Sequence, residues 1–150
     1  MQLSRNFTLE ELVHSPTAIR RGIRNIPSAD HIANLQQLCI FVLQPARDHF
    51  GLIRVSSGFR SPMLNAAIGG ADNSQHTLGE AADWEVPGVS NAEVATWVAA
   101  NLVFDQHILE YWNRNNPNSG WIHTSYRHGG NRREILHKQK GQPYKLGLGI

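Results

Sequence analysis

The stretch Ser74-Gln75-His76-Thr77-Leu78-Gly79-Glu80-Ala81-Ala82-Asp83-Trp84-Glu85-Val86 sets a histidine seven residues ahead of an aspartate, with a glycine between them. Ala81 to Val86 reads as a strand and residues 71–79 as an ordered loop, with Gly79 free to turn the chain sharply. His76 then stands at a loop end, and Asp83 sits in a strand beside the apolar Ala81, Ala82 and Trp84. A carboxylate buried in such a run needs a cation or hydrogen-bond donors. An imidazole and a carboxylate brought together this way are suitable zinc ligands. The same residues also suit a plainer arrangement, with Asp83 facing solvent and His76 an ordinary loop residue.

Downstream lies a hairpin. Phe104 to Tyr111 reads as one strand and Trp121 to Tyr126 as its return, because Asn113 to Gly120 is crowded with Asn, Pro, Ser and Gly. Alternation along the second strand puts Trp121, His123 and Ser125 on one face and Ile122 and Thr124 on the other. His123 is the third candidate ligand, with Trp121 walling a pocket; taken alone it reads as an exposed hairpin histidine. Glu110 ends the apolar stretch of the partner strand. Partial burial there would raise its pKa toward a value useful to a general base; the alternative is an exposed strand-end carboxylate.

The rest of the chain predicts an α+β fold, with helices packed on a small, mostly antiparallel sheet. Thr8-Leu9-Glu10-Glu11 is a capping-box pattern that opens a short helix to about His14. Ser15-Pro16 ends it, and residues 16–27 read as an irregular arm. Ser28 caps a long helix to about Phe50, with Ile32, Leu35, Leu38, Cys39, Val42, Leu43, Ala46 and Phe50 forming one apolar stripe. Pro45 should kink it. Cys39 on that stripe is predicted to be a buried, inert thiol. A strand over 52–56, a turn over 57–62 and a short helix from about Ser61 to Ile68 follow. Ser90-Asn91-Ala92-Glu93 repeats the capping-box pattern and opens a helix to about Asn101. Arg133 to His137 predicts a last strand, and residues 139–150 a loose tail.

The 150 residues carry no repeat and no linker, which predicts one domain over 1–150. Fourteen basic and twelve acidic residues leave a formal charge of +2, without a Lys/Arg block, so nucleic acid is not an expected partner. The single cysteine excludes an internal disulfide and a Cys-rich metal site. No apolar run approaches the roughly 20 residues of a membrane span. The N-terminus lacks the apolar core of a signal peptide, which predicts synthesis in the cytoplasm. A monomer is expected. The compositional anomaly is eight histidines.

Taken in order, Ser57-Gly58-Phe59-Arg60-Ser61, Ser74-x-His76-x-x-Gly79-x-Ala81-x-Asp83 and Trp121-x-His123 resemble the zinc D-alanyl-D-alanine carboxypeptidases and their relatives. These include the vancomycin-resistance dipeptidases, the phage L-alanyl-D-glutamate endolysins and the Hedgehog signalling-domain fold. The likeness runs from about residue 4 to about residue 133. It is strongest to a short phage and prophage branch, which opens with a segment like Asn6-Phe7-Thr8-Leu9-Glu10-Glu11 and carries a helix like Leu43-Gln44-Pro45-Ala46-Arg47.

The resemblance implies a zinc ion held by His76, Asp83 and His123, with the fourth position open to water, as in catalytic sites. It implies a peptidoglycan stem peptide as substrate, with action on the cell wall after release or within a phage particle. Many relatives place an acidic base three residues before the last histidine ligand. That position is Gly120 here, and Glu110 is the natural substitute. Arg60 is expected to pair with a substrate carboxylate or with the developing oxyanion. Ser74 and Asn65 are expected to brace loops. His107 stands where an apolar residue is expected and His128 follows the last ligand strand, so both roles stay open. His14, His31, His49 and His137 match no motif. Hedgehog-like relatives give the competing reading, a non-catalytic zinc-containing module for wall binding or phage structure. A metallonuclease would need a basic patch that the sequence does not show.

Overall fold

The computed structural model describes residues 1–150. A small N-terminal ribbon pairs β1 (Gln2–Ser4) with β2 (Phe7–Thr8) and leads into α1 (Leu9–Val13), whose N-cap Thr8 accepts from the backbone N–H of Glu11. The segment expected to be an irregular arm instead begins with a helix, α2 (Pro16–Arg21). Ser15 caps it, Pro16 occupies its first turn and Gly22 ends it at φ +65°. A proline that stops one helix is equally suited to start the next, since its missing N–H is unpaired there anyway.

The long helix starts as α3 (Ala29–Leu38), where Ser28 and His31 satisfy each other's backbone N–H groups. It does not break at Pro45. It widens into a π-helical segment over Cys39–Leu43 and resumes as α4 (Gln44–Phe50). The ring of Pro45 would crowd the carbonyl of Phe41, four residues back. A π turn ahead of the proline shifts those carbonyls and lets the helix run on. Cys39 is fully buried on the core side, and burial pushes its thiol up to about 12.

After β3 (Arg54–Ser57), α5 (Pro62–Ala67) and a 3-10 turn (Gln75–Leu78) come β4 (Ala81–Glu85), α6 (Asn91–Asn101), β5 (Gln106–Glu110), β6 (Trp121–Ser125), β7 (Glu134–Lys138) and β8 (Lys145–Leu146). The strands form one six-stranded sheet in the order β3-β4-β6-β5-β7-β8. This is larger than the small sheet expected, and it is mixed. Four pairings are antiparallel, but β7 returns parallel to β5, and the tail adds β8 at the edge. The tail's two strand residues are exposed and leave no hydrophobic pattern to read.

Alternation divides the sheet into two faces. Ala82, Trp84, Leu109 and Ile122 join Leu35, Leu38, Val42 and Leu43 of the long helix and Val94, Ala95 and Val98 of α6 in one core. Asp83, Glu110, Trp121 and His123 leave on the opposite face, where the sheet floors a cleft. No helix is long and apolar enough to cross a membrane.

Candidate metal centre and its cleft

Asp83 and His123 lie directly opposite each other in the β4–β6 register, so the pleat sends both side chains into the cleft. His123 Nδ1 is 3.0 Å from Asp83 Oδ1. His76 arrives from the 3-10 turn. Ser74 caps that turn, and Gly79 closes it at φ +74°, where an added Cβ would sit 2.6 Å from the His31 carbonyl oxygen. His76 Nε2 is 3.4 Å from the same Asp83 oxygen, and the three residues offer ligand atoms that all lie within 4.8 Å of one another.

The protonation of His76 follows from its other nitrogen. Nδ1 lies 2.7 Å from the Gly58 carbonyl oxygen, which can only accept, so Nδ1 carries the proton. Nε2 therefore presents a lone pair, and it is buried without a hydrogen-bond partner. Burial pushes the His76 pKa down, against protonation of Nε2. Burial alone would raise the Asp83 pKa, but His76 and His123 outweigh it and hold the carboxyl well below the usual carboxylate range. A buried imidazole nitrogen and a carboxylate oxygen thus face each other 3.4 Å apart without a hydrogen bond between them. A cation resolves that arrangement, and two imidazole nitrogens with one carboxylate oxygen are a donor set that suits zinc.

Arg60 comes from the turn after β3. Its backbone N–H donates to the His76 carbonyl at 3.1 Å, its Nη1 donates to Asn65 Oδ1 at 3.1 Å, and its Nη2 lies 3.6 Å from Asp83 Oδ2. Asn65 in turn donates to the Ala71 carbonyl at 2.8 Å, which makes it the brace expected of it. Asn25 ties the turn to the preceding arm, donating to the Val13 and Phe59 carbonyls and accepting from the Ser61 N–H.

The cleft encloses about 560 Å³, and Arg60, His76, Asp83, Glu110 and His123 all line it. Glu110 is half-buried, and burial raises its pKa. A side chain has no room at position 120. Gly120 has φ +70°, and an added Cβ would fall 2.0 Å from the Glu110 carbonyl oxygen. The hairpin therefore excludes an acidic base from that position while it carries Glu110 on the wall.

His107 faces the other way. It is fully buried on the core side, with Nδ1 3.0 Å from Thr124 Oγ1 and Nε2 3.0 Å from the Ala95 carbonyl oxygen. The carbonyl fixes the proton on Nε2. Thr124 then donates to Nδ1 while its oxygen accepts from Trp84 Nε1 at 3.1 Å. Burial takes the His107 pKa down to about 4. His128 is exposed in the turn after β6 and does not line the cleft.

Several cleft residues escape sequence reasoning. Tyr111 sits at φ +56° and packs against Trp121, with ring centroids 5.1 Å apart. Tyr144 reaches the cleft from the tail, and Arg132 from the loop before β7. A lone arginine in a turn and a tyrosine among glycines carry no periodic signal. The positive φ of Tyr111 has no signature in a tyrosine.

A cleft floored by a His–Asp–His donor set, with a carboxylate and an arginine on its walls, has the construction of a metallohydrolase site. A family model described as Peptidase M15 matches residues 5–124, and the chain belongs to that peptidase family. No curated protein matches the chain.

Proposed function

We propose that the protein is a zinc-dependent peptidase that hydrolyses peptide bonds in peptidoglycan stem peptides. The observation that carries this reading is the buried, unpartnered Nε2 of His76 facing Asp83 Oδ1 at the floor of the cleft. In this reading His76 Nε2, Asp83 Oδ1 and His123 Nδ1 hold the ion. Bound there, zinc would supply Lewis acidity, polarising the scissile carbonyl and lowering the pKa of the attacking water.

The remaining work falls to side chains. The Glu110 carboxylate takes a proton from the attacking water and passes it to the leaving amine nitrogen. Burial favours this by raising its basicity above that of an exposed glutamate. Arg60 keeps guanidinium N–H groups beside the site and donates to the oxygen that gains negative charge as the carbonyl is attacked. Asn65 holds that guanidinium in place. Gly58, by accepting from Nδ1, keeps the Nε2 lone pair of His76 aimed inward. Tyr111, Trp121 and Tyr144 add aromatic surface to the cleft lining, where a peptide can pack.

Glu110 on the cleft wall favours catalysis over a module that only binds. The test is digestion of purified peptidoglycan by the zinc-loaded protein, with released fragments identified by mass spectrometry. New amino termini within or at the end of the stem peptide are expected. A zinc-loaded protein that releases nothing from the wall and cleaves no stem peptide would overturn the reading.

A further inference from the structure

Arg132 is held far more firmly than its position at the cleft rim requires. Its Nε donates to both oxygens of Asp105, at 3.1 and 3.2 Å, and its Nη2 donates to Oδ2 at 2.8 Å. Its backbone N–H donates to Oδ1 at 3.0 Å. The Asp105 side chain is 0% exposed, whereas that of Arg132 is 53% exposed. Gln75, the neighbour of His76, donates to the same Oδ2 at 3.1 Å. On the other side Arg133, at φ +54°, lies over the Phe104 ring at 4.8 Å and donates to the Ala99 and Leu102 carbonyls. The loop is thus pinned on both sides of Arg132.

A guanidinium has two edges that can grip a carboxylate, Nε with Nη2 and Nη1 with Nη2. Asp105 occupies the first. The second meets only Glu134 Oε1, 4.0 Å from Nη1, and that oxygen already accepts from Gln106 at 2.7 Å. Arg132 therefore brings to the cleft a fixed cation with an unused bidentate edge. Arg60 and Arg132 are the two arginines that line the cleft, beside the carboxylates of Asp83 and Glu110. The family match ends at residue 124, so Arg132 belongs to the part of the chain that the family model does not match.

We propose that the free edge of Arg132 binds a carboxylate of the substrate, so that the protein selects peptides carrying a free acid over the same peptides carrying the amide. This rests on the peptidase reading above. Two sources supply that chemistry in a stem peptide, the α-carboxylate of the D-glutamyl residue and the C-terminal carboxylate. The competing role is structural, with the Asp105–Arg132 pair only pinning the loop.

The test uses the zinc-loaded protein and four forms of L-Ala-γ-D-Glu-L-Lys-D-Ala-D-Ala: free acid, amidated at D-Glu, amidated at the C-terminus, and amidated at both. Amidating the recognised carboxylate should lower kcat/KM about 10- to 100-fold, mainly through KM, the span expected for losing a hydrogen bond to a charged group. Whichever amidation matters identifies the source. R132Q should treat acid and amide alike, and R132K, which keeps the charge but not the edge, should fall between. Thermal melts check that both variants fold. A wild-type protein indifferent to all four forms, or an R132Q that keeps the wild-type preference, overturns the proposal. A purely structural role would lower the melting temperature and leave the acid-to-amide ratio unchanged. Calorimetric binding of the same peptides to metal-free protein separates this proposal from the peptidase reading. An acid preference lost in R132Q supports the carboxylate site even if nothing is cleaved, and no preference there overturns it.

Discussion

Glu110 ends β5 with its carboxylate on the cleft wall, on the strand paired with the one that carries His123. If it moves the proton, Glu110→Gln should keep the fold and the bound zinc, since the carboxylate is not among the three clustered donors. Turnover on stem peptides should fall by about 10²–10⁴-fold, the usual contribution of a positioned base. Near-normal turnover with zinc retained would remove Glu110 from the mechanism. The residues of this site differ in how far the sequence reveals them. His76, Asp83 and His123 are legible through the combined motif, Ser74-x-His76-x-x-Gly79-x-Ala81-x-Asp83 followed by Trp121-x-His123, and the resemblance it carries; taken singly, His76 and Asp83 suit an ordinary loop and strand and His123 an exposed hairpin. Glu110 is proposed through the resemblance, in which Gly120 stands at the usual position of the acidic base, and the structure shows why no side chain fits there: an added Cβ would fall 2.0 Å from the Glu110 carbonyl oxygen. Arg132 is invisible in the sequence, because its position depends on Asp105, 27 residues earlier.

The strand that presents Glu110 to the cleft sends His107 into the helix layer, where it joins β5 to β6 through Thr124 and to α6 through Ala95. That link has a pH dependence. Burial lowers the folded-state pKa from the ordinary 6.5 to about 4, so between those values the unfolded chain binds the extra proton. The stabilisation is complete above pH 6.5 and is lost as pH falls toward 4; it is worth on the order of 3 kcal/mol. His107→Gln, which retains a donor for the Ala95 carbonyl but does not titrate, should flatten the slope of unfolding free energy against pH in that window. Equal slopes for variant and wild type would show that His107 titrates normally in the fold. Elements are legible where periodicity is long. The stripe from Ile32 to Phe50 predicts one continuous helix, but spacing cannot show that the chain passes Pro45 through a π segment. Ser15-Pro16 carries both a stop and a start, and only the αL turn at Gly22 resolves it toward a helix.

Across the whole molecule the sheet works as a partition. One face is sealed by the long helix and α6 in a continuous core, and the other stays open and polar, lined by Arg60, His76, Asp83, Glu110 and His123. The α+β class and the hairpin are legible because alternation repeats over several strands. The sixth strand and the parallel return of β7 are not, because crossover direction is settled by packing and not by any local pattern. The partition also gives the cluster its character. His76 Nε2 is shut from water by the layer around it, yet opens toward Asp83. The most direct test is anomalous diffraction at the zinc edge from crystals of the zinc-loaded protein. One strong peak should lie among His76 Nε2, Asp83 Oδ1 and His123 Nδ1, at about 2.0–2.2 Å from each. A map with no peak there, or with zinc bound only elsewhere on the chain, would contradict the account.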